Sequence, residues 1–158
     1  MPDIPIRCFA VSVVVLRGSS AATEMLLLRR TRSLAGEWCQ VAGGIEAGET
    51  AWQAALREVQ EETGLVLASL YSADICEQFY EADRDAISLL PVFVGYAGAE
   101  DTVTLNPEHS EFRWVSVADA LQMVPFAGQR AVIRHIENEF IHSTPSRWLL
   151  ISPKVATP

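Results

Sequence analysis

Arg57, Glu58, Glu61 and Glu62 stand within one short stretch of the chain. Residues three and four apart on a helix share a face, so the three glutamates are expected to point broadly one way, opposite Ala54, Ala55 and Val59. Carboxylates crowded like this repel one another. They also fall in the C-terminal half of the expected helix, where the macrodipole is already negative. Folding alone gives no reason for the arrangement. A divalent cation does, because hard cations gather several carboxylate oxygens, and magnesium adds substrate phosphates to them. The alternative is a plain solvated acidic face. Two neighbouring features weigh against it. Gly43, Gly44 and Gly48 flank Glu46 and Glu49 in a glycine-rich loop, where backbone amides can approach a ligand closely. Arg57 lies inside the acidic cluster, where a guanidinium fork can fix carboxylates by two-point contact.

The elements that must position this cluster follow from periodicity. Residues 6–17 are β-branched and almost continuously apolar, which predicts a central strand buried on both faces. Gly18–Thr23 reads as a turn, and Met25–Arg30 as the hairpin partner of the first strand. A short apolar segment, Trp38–Ala42, runs into Gly43-Gly44. Thr50 with Gln53 is a capping-box signature, Ala51 to Val59 carry an apolar helical stripe, and Gly64 stops the helix. Residues 65–80 and 86–97 predict strands around the polar turn Glu81–Asp85. Asn106–Glu111 reads as a loop and Phe112–Ser116 as a short strand. A brief helix to Gln122 and a longer one over Gln129–His142 come next. Trp148–Ile151 is a candidate edge strand in a tail, 143–158, that frays. Strands around one central helix, with helices collected at the end, predict an α/β (α+β) fold: an α/β/α sandwich on a mixed sheet.

Gly43, Glu49 and the run Arg57-Glu58-Val59-Gln60-Glu61-Glu62-Thr63-Gly64-Leu65 resemble the Nudix box, GX5EX7REUXEEXGU, where U is a bulky apolar residue. Every specified position matches without a gap over residues 43–65. The order of elements resembles the Nudix fold over most of residues 6–142, with 1–158 expected to be one domain. The resemblance implies hydrolysis of a nucleoside diphosphate linked to another moiety, with Mg2+ or Mn2+ as cofactor. It implies that Glu58 and Glu62 are metal ligands and that Glu61 is a further one, direct or through a water. Arg57 orients the glutamates, with Glu49 beside it, and Gly43 and Gly64 are structural. It also implies an acidic residue outside the box, before a late strand. Glu108 is the first choice for that role and Glu111 the second, and His109 is read as a loop residue without a role.

The segment Glu37–Thr50 and the later Glu108-His109 to Trp114 are similar to the dATP and dihydroneopterin triphosphate pyrophosphohydrolases. Ala42 departs from that subgroup, which carries a hydroxyl residue there. Cleavage of a diadenosine polyphosphate, a nucleotide sugar or an oxidised nucleotide stays open. A non-catalytic nucleotide sensor would be expected to have lost box glutamates that this chain keeps. Arg29 and Arg30 leave a strand at the mouth of the glycine loop, and either guanidinium would match phosphate oxygens. Alternation lets only one of them face the site. Arg7 is a weaker candidate of the same kind. Trp38 is a candidate to stack on a base or pterin ring, and Phe79 and Tyr80 are candidates to line the same pocket. Trp114 is expected to pack.

Composition bounds the partners. In 158 residues, 49% hydrophobic and 20% charged, a single globular core is expected, and wholesale disorder is excluded. Twelve basic against twenty acidic side chains give a net charge of −8. That balance disfavours a long nucleic acid, including an RNA 5′ end, and an anionic membrane surface. It allows a small phosphorylated substrate held through a cation. Three scattered cysteines without CxxC spacing predict a reducing, cytoplasmic setting. No export signal or membrane span is read, and a homodimer is compatible with the resemblance.

Overall fold

The computed structural model describes residues 1–151. The strands are β1 (Ile6–Arg7), β2 (Ala10–Arg17), β3 (Glu24–Arg30), β4 (Trp38–Cys39), β5 (Val41–Gly44), β6 (Ser69–Glu81), β7 (Ala86–Tyr96), β8 (His109–Val115) and β9 (Leu150–Ile151). The α-helices are α1 (Ala51–Thr63), α2 (Val117–Met123) and α3 (Ala127–Ile136). The sheet is mixed. β2 runs parallel to β7 and antiparallel to β3 and β5, and β7 pairs antiparallel with β6.

Alternation along β2 sorts the core. Val11, Val13 and Val15 join Leu26 and Leu28 against Ala54, Ala55 and Val59 of α1. Val14 and Leu16 join Met25 and Leu27 against Ala120, Val132, Ile133 and Ile136 of α2 and α3. The continuous apolar run of β2 is thus a strand covered on both faces, and the architecture is the expected α/β/α sandwich.

Several boundaries differ from expectation. The strand 6–17 is broken at Cys8 and Phe9, because β1 and β2 pair with separate parts of β7. The segment 38–42 is likewise interrupted at Gln40, whose side chain is buried in a polar cluster. β6 begins at Ser69 rather than 65, since Leu65 is bonded back to Thr63 and packs on the core below α1. β8 begins at His109, so the expected loop 106–111 shrinks to 106–108. The last helix starts two residues early and ends at Ile136 in a wider turn, Glu137–Ile141, with Phe140 against Tyr71. The edge strand is confined to Leu150–Ile151 beside β6, and the remainder of the tail, 152–158, lies outside the described residues.

The cap of α1 is as expected. The Thr50 hydroxyl accepts from the Gln53 N–H, the Gln53 side chain accepts from the Thr50 N–H, and Gly64 closes the helix at φ 71°. Thr50→Ala removes one half of this box and is expected to cost about 1 kcal/mol, read as a lower urea midpoint at unchanged slope.

Candidate active site

Arg57 spends all five of its N–H donors. Nε and Nη2 clasp Glu49 at 3.1 and 2.6 Å, Nη2 also reaches the Gly44 carbonyl at 2.8 Å, and Nη1 reaches Glu58 at 2.7 Å and Glu61 at 3.2 Å. The Glu49 contact holds the Glu49 carboxyl below, and the guanidinium above, their ordinary values. Glu49 is presented by a turn in which the Glu46 N–H donates to its side chain and Gly48 takes φ 84°. Gly43 has a different task. A Cβ built there would overlap the Glu58 carboxyl, so α1 and β5 approach this closely only over glycine.

The three glutamates do not share one exposed face. Glu61 is about half exposed (54%), Glu58 keeps 12% of its side chain accessible, and Glu62 is 2% exposed among the same residues as Ala54, Ala55 and Val59. The expectation that all three point away from the apolar stripe is therefore corrected, because Glu62 lies at i+3 from Val59. Its Oε2 is buried without a hydrogen-bond partner. Burial, then repulsion from Glu58 and Glu108, pushes its carboxyl up to about 8, against the pull of Arg30 and the Ala42 N–H. Burial also raises Glu58, with Arg57 opposing.

Glu62 opens into a recess of about 180 Å3 lined by Arg30, Glu108, His109 and Ala42. Of the two adjacent arginines, Arg30 faces this recess, with its guanidinium braced by the Ser33 carbonyl and hydroxyl. Arg29 does not. It pairs across the sheet with Trp38 on one side and Glu111 on the other, and it bonds Glu111 at 3.1 Å. Directly opposed residues project to the same face, so one row carries Arg29, Trp38 and Glu111 away from the recess together. Trp38 packs on the α2–α3 side of the core beneath Arg113, and Glu111 is tied to Arg29 and Arg113. Arg7 stacks on Phe9 at 4.4 Å and lines neither concavity. Trp114 packs on the core as expected, under Arg17. His109, read as a loop residue, is a buried strand residue whose Nδ1 lacks a partner, and burial pushes its pKa down.

A wider cleft of about 910 Å3 adjoins the recess and shares Arg30, Cys39, Gln40 and Ala42 with it. Phe79 and Tyr80, candidates for a pocket shared with Trp38, line it without Trp38 and are exposed rather than core, joined by Phe9 and Phe126. Its polar lining was missed: Gln40, Glu77 and Gln129 are all buried and bonded in series. Their separation in sequence hid them. The only local signal was a polar residue within a predicted apolar segment, Gln40, and within a predicted strand, Glu77; Gln129 opens a predicted helix and gave none.

As the side chains stand, no group of three or more His, Cys, Asp or Glu among the described residues is arranged to hold a metal ion, and Arg57 engages both Glu58 and Glu61. The donor set nevertheless suits a hard cation. Glu62 carries an unpartnered buried oxygen beside two further carboxylates, a combination that a dication would stabilise.

The family profile described as NUDIX domain matches residues 7–136. The chain belongs to the NUDIX family. Among relatives, the Nudix chain is 28% identical over 127 residues to the asymmetrical bis(5′-nucleosyl)-tetraphosphatase of Caenorhabditis elegans, covering 79% of itself and 91% of that protein. It is 34% identical over 134 residues to an octanoyltransferase of Myxococcus xanthus, covering 84% of itself but spanning only 37% of that protein's length. The solved E. coli dihydroneopterin triphosphate pyrophosphohydrolase superposes with a TM-score of 0.67 at 24% identity, covering 86% of this chain and 99% of that one, which shows the shared fold. The chain is thus a Nudix hydrolase, of the class that acts on phosphoanhydrides. No helix among the described residues is long and apolar enough to cross a membrane.

Glu62 makes stability depend on pH in a defined sense. The folded carboxyl keeps its proton up to about pH 8, whereas the unfolded one loses it near 4.5. Unfolding therefore releases a proton across that window, and native stability falls as pH rises through it. In chelating buffer, Glu62→Gln is expected to melt higher than the native chain at pH 8, by on the order of several degrees. The gap should close toward pH 4.5. A gap of constant size across the range would contradict this origin.

Proposed function

We propose that the chain is a divalent-cation-dependent pyrophosphohydrolase of a nucleoside or pterin triphosphate, releasing pyrophosphate and a monophosphate. The observation that carries this reading is the buried, unpartnered Glu62 oxygen in one recess with Glu108 and Arg30, under the added negative charge of nearby Glu58. Glu58, Glu61, Glu62 and Glu108 would hold Mg2+ or Mn2+. When bound, the cation supplies Lewis acidity and neutralises charge on phosphate oxygens.

The chain's own groups do the rest. Arg57 holds the glutamates at fixed spacing from the glycine loop. Arg30, the arginine braced in the recess, takes phosphate oxygens by its fork. Glu108, on the loop that enters the recess, accepts the proton of the water attacking phosphorus, as a general base does. Phe79, Tyr80 and Phe126 give the cleft aromatic sides against which a heterocycle can stack. The likeness around Glu37–Thr50 supports the triphosphate reading.

A second reading is asymmetric cleavage of a dinucleoside polyphosphate, favoured by the tetraphosphatase relative and by the breadth of the cleft. The two differ in products. With Mg2+ and a panel of nucleoside triphosphates, dihydroneopterin triphosphate, a diadenosine polyphosphate and ADP-ribose, the first reading expects pyrophosphate from one triphosphate at a dominant rate. Dominant cleavage of the dinucleotide, without free pyrophosphate, would establish the second.

The choice of outside carboxylate has its own test. Glu108→Gln is expected to lower kcat by about a hundredfold or more, the usual scale for loss of a positioned base. Glu111→Gln, which breaks only the contacts to Arg29 and Arg113, should leave kcat within about twofold, since surface ion pairs contribute little. Equal losses in steady-state assays would reject Glu108 as the special residue.

A further inference from the structure

The cleft has aromatic sides and a polar floor. Phe79 and Phe126 are exposed on its rim, while Gln40, Glu77 and Gln129 lie 5%, 9% and 6% exposed at its base. Buried polar side chains are costly unless paired. Here the pairing is arranged so that one residue braces the other two. Gln40 gives its amide N–H groups to Ser12 Oγ at 2.8 Å and Glu77 Oε2 at 2.9 Å, and its own oxygen accepts from Gln129 Nε2 at 3.2 Å. Gln129 is oriented from its other end, where the Phe126 N–H donates to its Oε1 at 3.2 Å.

This bracing leaves hydrogen-bonding capacity at two points. An amide nitrogen carries two hydrogens, and Gln40 takes one from Gln129. A carboxylate offers about four lone-pair sites, and the hydrogen bond from Gln40 engages one, with the Ser12 hydroxyl close by. The cleft floor therefore presents a carboxyl acceptor beside an amide donor.

We infer that Glu77 and Gln129 read the 2-amino-4-oxopyrimidine edge of a guanine- or pterin-type ring seated in the cleft. That edge carries, in sequence, an amino N–H, a ring N–H and a carbonyl. The two N–H groups match a carboxylate by two-point contact, and the carbonyl accepts from the Gln129 amide. Adenine presents a ring lone pair where the second N–H is needed, and hypoxanthine lacks the amino group. A site built to bond a polar group discriminates strongly against ligands without it, because its own buried groups are then left unpaired. Burial raises the Glu77 pKa, so an unpaired charge there is disfavoured, and two donors to the carboxylate relieve it. The inference rests on the cleft being the seat of the substrate's heterocycle.

The test is equilibrium binding of GMP, IMP and AMP to the full chain by calorimetry, with hydrolysis assayed separately. GMP is expected to bind at least about tenfold tighter than IMP or AMP, the scale of one hydrogen bond to a charged group. Glu77→Gln should abolish that preference by weakening GMP binding at least about tenfold without weakening AMP binding, since an amide N–H can meet adenine's ring lone pair. Equal affinity of the native chain for all three would overturn the inference, and that comparison needs no variant. So would a variant that weakens all three alike, which is the mark of a structural role. Selective GMP binding with no hydrolysis of any phosphoanhydride would keep the inference and remove the proposed activity. Hydrolysis without base preference would do the reverse.

Discussion

One guanidinium ties the site together. Arg57 binds a turn through Glu49, a strand through the Gly44 carbonyl, and its own helix through Glu58 and Glu61. These contacts fix the register of α1 against β5 as well as the carboxylate spacing. A lysine would bring one point charge and fewer donors and could not span the three elements. The carboxylates depend on the arginine in turn. Without it, Glu49, Glu58 and Glu61 would repel one another at the place where helix and loop must meet. Gly43 completes the constraint by letting the Glu58 carboxyl lie against bare backbone.

Around that clamp, the site uses both the sheet's interior and its rim. β2 and β3 are covered on both faces, which leaves little freedom in the scaffold. The recess lies between the end of β3, the β4–β5 junction and the C-terminal turn of α1, where the loop before β8 comes across. Glu62 is anchored in the helix's buried face, and Glu108 sits on a loop tied to Thr31 through the Pro107 and Glu108 carbonyls.

Local patterns made much of this legible. The capping box at Thr50, the stop at Gly64 and the two-sided burial of β2 all follow from neighbouring residue types, and each is found where expected. What escaped depends on the sheet. Whether Arg29 or Arg30 faces the site is decided by pairing with Trp38, across a short loop, and with Glu111, far away in sequence. The side of α1 that Glu62 takes was legible, since it lies three residues after Val59; only the depth of its burial depends on how α1 lies on the sheet. Gln40, Glu77 and Gln129 come from a strand break, a long strand and a helix start, and only the folded chain brings them together. His109 was misplaced because β8 extends over residues that look like loop.

The parallel pairing of β2 with β7 has a kinetic consequence. Val13 lies beside Phe93, so the hydrogen bonds at the centre of the sheet close over nearly half of the chain. Such closure loses chain entropy before the contacts repay it, and non-local topologies of this kind fold slowly. α1 can form early from its own cap and stripe, but it cannot bury Ala54, Ala55 and Val59 until β2 and β7 are in register. During synthesis, then, the acidic helix emerges well before its sheet is complete. The recess around Glu62 and Glu108 is among the last features of the nascent protein to take shape.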